Sequence, residues 1–124
     1  YVVGMWKILQ HDQPDDFVLA TGKSISVREF ILIAIDKLGI EIEFKGTGLG
    51  EIGTVTANHK NAKVEIGQEI IKIDSRYYRP TEVESLLGDP SRAKAILGWE
   101  PKYTIDQLIE EMIEYDLDYF RPLN

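Results

Sequence analysis

The sequence predicts an α/β fold: a small lobe of about four helices with a few short strands and an irregular hairpin. Three observations carry this expectation. Apolar residues recur at helical spacing in four separate stretches, and three of these open on a recognisable cap. Residues 41–45 alternate polar and apolar, and residues 69–73 form a second strand-like run. Between them, Gly46, Gly48, Gly50, Gly53 and Gly67 break residues 46–69 into a loop and an irregular hairpin.

The elements follow in order. Residues 1–10 read as a helix with Val2, Met5, Trp6 and Leu9 on one face. Pro14, within His11-Asp12-Gln13-Pro14-Asp15-Asp16, prevents its continuation. Phe17-Val18-Leu19-Ala20 reads as a short buried strand, and Thr21-Gly22-Lys23 as a turn. Ser26 with Glu29 forms a capping box that opens a helix with Val27, Phe30, Ile31, Ala34, Ile35 and Leu38 inward, ended by Gly39. The strand at 41–45 keeps one wet face. Within 46–69, Thr54-Val55-Thr56 and Lys63-Val64-Glu65-Ile66 are the runs between glycines. The strand at 69–73 is broken by Asp74-Ser75-Arg76-Tyr77-Tyr78-Arg79-Pro80. Asp89-Pro90 starts a helix that buries Ala93, Ile96 and Leu97 and stops at Gly98, with Trp99 folding back on it. Thr104 and Gln107 form another capping box before the last inward stripe, Ile105, Leu108, Ile109, Met112, Ile113 and Leu117.

Composition narrows the function classes. The 124 residues are 44% hydrophobic and 28% charged, contain no cysteine and carry a net charge of −7. This is an ordinary globular composition, and it excludes disulfide scaffolds, thiolate zinc modules and cysteine catalysis. An acidic chain lacks the basic footprint of a nucleic-acid binder. No apolar run approaches the roughly 20 residues that cross a bilayer. The charge is uneven: residues 1–80 hold ten bases against eleven acids, residues 81–124 four against ten. Much of that excess lies on the wet side of the last helix and reads as a solvated face. The chain opens on Tyr1, already inside a helical pattern and with no signal-peptide pattern, which reads as a fragment starting within a larger protein.

Several catalytic patterns fail on inspection. Gly48-Leu49-Gly50-Glu51-Ile52-Gly53 matches the dinucleotide fingerprint, but Thr54-Val55-Thr56 follows where a helix must begin. No tyrosine has a lysine four residues later, so the Tyr/Lys pair of short-chain dehydrogenases is missing. His11 and His59 lie far apart in sequence among polar residues, giving a metal site little support, and no nucleophile-elbow pattern occurs.

Residues 76–84 are the most distinctive stretch, with two arginines, two tyrosines, a proline and two carboxylates. Pro80 fixes its own φ and pushes Arg79 toward an extended backbone. A guanidinium fork held this way suits a phosphate, because it donates two parallel hydrogen bonds. Glu82 suits the paired hydroxyls of a ribose. The competing reading is that Arg79 pairs with Glu82 or Glu84 and merely pins a loop.

Six blocks together carry a family resemblance. They are residues 1–9, Asp15-Asp16-Phe17-Val18-Leu19-Ala20-Thr21-Gly22, Ser26-Val27-Arg28-Glu29-Phe30, residues 74–83, Leu87-Gly88-Asp89-Pro90-Ser91-Arg92-Ala93-Lys94, and Leu97-Gly98-Trp99-Glu100-Pro101-Lys102. The chain resembles the C-terminal part of the GDP-mannose 4,6-dehydratases, in the extended short-chain dehydrogenase/reductase group. The 77–83 and Gly88-Asp89-Pro90 blocks are the specific ones, whereas Leu-Gly-Trp-x-Pro is shared across sugar-nucleotide epimerases and dehydratases. The resemblance implies a single C-terminal substrate-binding domain over 1–124, with 46–69 as an insertion and the Rossmann domain absent. It implies a cytoplasmic, homo-oligomeric parent lyase that converts GDP-D-mannose to GDP-4-dehydro-6-deoxy-D-mannose in GDP-fucose and deoxysugar biosynthesis. In that parent, NADP is held by the missing domain together with the catalytic Tyr/Lys, so the fragment alone should be inactive. Arg79 then matches the diphosphate contact and Glu82 the ribose contact, while Arg76 stays unassigned. Two other readings remain open: the equivalent lobe of a related nucleotide-sugar dehydratase or epimerase, and a non-enzymatic binding module using the acidic last helix.

Overall fold

The computed structural model describes residues 1–60, 62–77, 79 and 86–120. Its elements are α1 (Val2–Leu9), α2 (Val27–Lys37), β1 (Ile40–Lys45), β2 (Ile52–Asn58), β3 (Glu69–Lys72), α3 (Ser91–Leu97) and α4 (Ile105–Tyr119), with 3₁₀ turns at Gly48–Gly50 and Ser75–Tyr77. The α/β class expected from the sequence holds, with four helices and a three-stranded antiparallel sheet in the order β1-β2-β3. The chain forms two compact units, Tyr1–Ser26 with Val83–Leu108 and Val27–Glu82 with Ile109–Asn124.

In the first unit, α1 meets its surroundings through a glycine. A Cβ on Gly4 would lie 2.7 Å from Leu19 Cδ1 and 2.9 Å from Trp99 Nε1, so a larger residue there would displace these side chains. Beside it, Lys7 Nζ donates to the carbonyls of Leu97 (2.9 Å) and Gly98 (2.8 Å), which closes orphan acceptors at the C-terminus of α3. The Val2, Met5, Trp6 and Leu9 face is exposed. Asp89 Oδ1 accepts the Ser91 amide at 2.9 Å, as the Asp-Pro start predicts. Gly98 ends α3 at φ 56°, and Trp99 folds back with its amide donating to the Ala93 carbonyl at 3.2 Å. Ala93 and Trp99 are buried, whereas Ile96, expected inside, is exposed.

Residues 17–20 are not a buried strand. They have no regular structure and Val18 is exposed. A strand must satisfy its backbone in a ladder, and the three described strands form a separate sheet in the other unit.

The second unit packs α2 on the sheet. Ile35, Ile40 and Val55 form its buried centre, bordered by Ile31, Leu38, Ile42, Ala62, Val64, Ile70 and Ile71. β1 alternates as predicted, with Ile40 buried and Glu41 and Glu43 wet. Residues 46–69, expected as a loop and irregular hairpin, contain the central strand β2, and Val55 is 1% exposed. Register shifts at Glu41/Ile42 and Gly53/Thr54 accompany the irregularity. Residues 63–66 form no strand. Val27, expected inward on α2, is exposed.

Helix α4 opens on the predicted reciprocal cap: the Thr104 amide donates to Gln107 Oε1 at 2.9 Å, and the Gln107 amide to Thr104 Oγ1 at 3.3 Å. Of its expected inward stripe Ile109 is buried, while Leu108, Met112 and Leu117 are exposed. Among the described residues no helix is long and apolar enough to cross a membrane.

Candidate functional site

The second unit carries an open cleft of about 860 Å³ lined by Val27, Lys72, Ile73, Asp74, Arg76, Tyr77 and Arg79. Its position follows from the end of a strand. β3 stops at Lys72, and the Ser75–Tyr77 turn reverses the chain, with the Tyr77 amide donating to the Asp74 carbonyl at 3.0 Å. Val27, the first residue of α2, is solvent-facing because it borders this cleft.

Asp74 organises the turn. Its Oδ1 accepts the Arg76 backbone amide at 2.9 Å, a local side-chain-to-backbone bond that competes with strand continuation. The Arg76 guanidinium then returns to the same carboxylate, Nε at 3.1 and 3.0 Å and an Nη at 2.6 Å. These bonds hold the Asp74 carboxyl below its usual range, through the guanidinium first and the backbone amide second, and raise Arg76 in turn. Arg76 also sits 5.6 Å from the centroid of the Tyr77 ring. Lys72 pairs with Glu69 at 2.6 Å.

Among the described residues the lining gathers three cations, Lys72, Arg76 and Arg79, and one carboxylate, Asp74. In a chain of net charge −7 this is a local reversal of sign. Such an arrangement can receive an anion, with Val27, Ile73 and the Tyr77 ring as apolar floor.

Of the sequence-predicted site residues, Arg79 is exposed and lines this cleft. Glu82 lies outside the described residues. The structure adds Arg76, Lys72 and Asp74 to the same wall. The signal for Asp74 was its spacing two residues before an arginine at a strand end, the pattern of an Asx turn. For Lys72 the alternation of the strand alone gave no functional hint.

Other candidates resolve differently. The Gly48–Gly53 run passes from a 3₁₀ turn into β2, so it does not open a helix. A Cβ on Gly53 would approach Ile71 Cβ to 2.9 Å, so that glycine serves sheet packing. These residues do not fit a dinucleotide pyrophosphate, which needs a helix N-terminus. His11 Nδ1 lies 2.7 Å from the Gln13 carbonyl, and His59 Nε2 lies 2.8 Å from Glu41. Among the described residues no group of three potential metal ligands occurs.

Comparison with known proteins bears on this cleft. The family model of GDP-mannose 4,6 dehydratase matches residues 1–112. The GDP-mannose 4,6-dehydratase of Yersinia enterocolitica is 50% identical over 119 residues, covering 94% of this chain and 32% of that protein. A GDP-mannose 4,6-dehydratase of Vibrio cholerae is 48% identical, again over 94% of this chain and 32% of its own length. GDP-mannose 4,6 dehydratase 2 of Caenorhabditis elegans is 47% identical over 94% of this chain and 28% of its length. The chain thus spans about a third of the length of these relatives. A match running through both compact units, at half identity, establishes that the chain belongs to the GDP-mannose 4,6-dehydratase family.

Proposed function

We propose that this chain is the C-terminal, substrate-gripping part of a GDP-mannose 4,6-dehydratase. The parent is a lyase that removes water from GDP-D-mannose to give GDP-4-dehydro-6-deoxy-D-mannose. The observation that carries the reading is the cationic cleft containing Arg79. Arg79 donates to the diphosphate, and Glu82, three residues on, accepts from the ribose hydroxyls. Lys72 and Arg76 flank that position. Both are held in exposed ion pairs, Lys72 with Glu69 and Arg76 with Asp74, which position the cations without using all of their donors. Holding the nucleotide fixes where the hexose lies, and such remote binding is what positions a reacting group.

NADP, in this reading, supplies the hydride acceptor and donor from polypeptide beyond this chain, and no residue here is assigned to it. The chain alone is inert for that reason. A homo-oligomeric, cytoplasmic parent within the extended short-chain dehydrogenase/reductase group is part of the same proposal, supported by the sequence resemblance.

The test is Arg79→Ala in a polypeptide of the relatives' length. The expected result is a fall in kcat/KM for GDP-mannose of roughly ten- to a hundredfold, the loss of a charge-assisted contact worth about 1.5–3 kcal/mol. Arg79→Lys should recover part of it, because the charge remains and the fork is lost. Unchanged KM and kcat/KM would remove the role assigned to Arg79. Equal inhibition by GDP and UDP would favour the related reading, a nucleotide-sugar enzyme of another base.

A further inference from the structure

Tyr77 is a large ring left in the open: it is 78% exposed. Its place is nonetheless fixed. It closes the 3₁₀ turn Ser75–Tyr77, and its amide donates to the Asp74 carbonyl at 3.0 Å. The Arg76 guanidinium lies 5.6 Å from the ring centroid, and that guanidinium is itself held by Asp74 through Nε and an Nη. A single exposed aromatic needs no explanation. An aromatic with a bonded backbone, a pinned cation against its ring and a place in the wall of a cationic cleft is a different case.

We propose that the Tyr77 ring is the platform on which the base of the nucleotide stacks, and that it favours a purine over a pyrimidine there. The inference rests on the substrate reading, in which Arg79 meets the diphosphate and the base has no contact assigned.

Position makes the contact possible. Tyr77 and Arg79 line the same cleft and are two residues apart, a length of chain that spans at most about 7 Å. A ring so close to the diphosphate contact is within reach of a group one ribose away from the phosphates. The hexose also lies beside the diphosphate, and the electronics of the ring decide between the two. A sugar presents C–H bonds, which seek an electron-rich face. A guanidinium against one face draws density from the ring and leaves the other face poorer. A nucleobase is an electron-rich planar π system, and offset stacking suits it to such a face. Val27 and Ile73 offer no π face but continue the apolar floor beside the ring. A two-ring purine covers more of that surface than a one-ring pyrimidine, and the difference in buried area is the source of the preference.

The test uses Tyr77→Leu and Tyr77→Phe in a polypeptide of the relatives' length. Competitive inhibition of GDP-mannose turnover is measured with GDP, UDP and inorganic pyrophosphate. Tyr77→Leu keeps apolar bulk and removes the π face. It should raise the inhibition constant of GDP roughly five- to a hundredfold. It should also narrow the preference for GDP over UDP and leave pyrophosphate unchanged. Tyr77→Phe retains the face and should retain the inhibition by GDP. Unchanged inhibition by GDP in Tyr77→Leu overturns the proposal. So does an equal loss for GDP and pyrophosphate, because the ring then supports Arg79 and does not touch the base. A raised KM for GDP-mannose with unaltered inhibition by GDP places the ring against the hexose and overturns it as well. Arg79→Ala separates the two assignments, since it should weaken GDP and pyrophosphate alike. If it weakens neither while Tyr77→Leu weakens GDP, the phosphate contact fails and the base platform stands.

Discussion

Asp74 is a small residue with three duties: it ends a strand, caps a turn and anchors a guanidinium. Replacing it by Asn keeps an oxygen for the Arg76 amide and removes the charge that holds the side chain. We therefore expect Asp74→Asn, in the longer polypeptide, to raise KM for GDP-mannose severalfold with little change in folding, because Arg76 loses its fixed place beside Arg79. An unchanged KM would sever the link between the clamp and the site. The same pair predicts a pH dependence. A carboxyl held below its ordinary 3.8 in the fold favours the folded state above that value, and the benefit disappears as pH falls through the lowered midpoint. Titration of the Asp74 carboxyl by NMR should give a midpoint below 3.8, and Arg76→Ala should return it toward 3.8. If Arg76→Ala leaves the midpoint in place, the guanidinium is not its cause. The sequence pointed to Arg79 through Pro80 but left Arg76 without a task, because the bond that places it depends on where β3 stops, which no local pattern states.

At the scale of elements, what the sequence disclosed was local. The Thr104/Gln107 box, the Asp89–Ser91 bond and the glycine ends of α2 and α3 involve residues six or fewer apart, and all are in place. Removing the reciprocal cap by Thr104→Ala should cost about 1 kcal/mol of stability and lower Tm by several degrees. A melt superposable on the parent's would show that the cap does not limit α4. What the sequence concealed was long-range. β2 hides among glycines, and only its pairing with β1 and β3 reveals it as the middle strand. At Gly46, φ 87° and the adjacent Gly50 carbonyl leave no room for a side chain, so the same glycine that resembles a loop signal makes the β1–β2 connection possible. Conversely, residues 17–20 have the composition of a strand but no ladder to join. The exposed stripes of α1 and α4 fail for a related reason: periodicity says that a face is apolar, not which part of a polypeptide covers it.

At the scale of the molecule, cationic lining in an acidic chain divides two roles. The overall charge of −7 keeps the surface repulsive toward anions, and the cleft is where that sign reverses. Raising ionic strength should therefore weaken GDP-mannose binding by the longer polypeptide. Salt-independent affinity would mean that the three cations do not face the nucleotide. The isolated 124 residues, supplied with GDP-mannose and NADP, should release no 4-dehydro product, while the longer polypeptide does so under the same conditions; turnover by the short chain would contradict the division of labour proposed above.

The bond from Lys7 to Leu97 and Gly98 joins positions ninety and ninety-one residues apart. During synthesis, the ammonium emerges from the ribosome long before its acceptors exist. The intervening three-stranded meander, made of consecutive hairpin neighbours, can close in the meantime. Helix α1 must therefore wait, without this bond, until some 90 further residues have been translated.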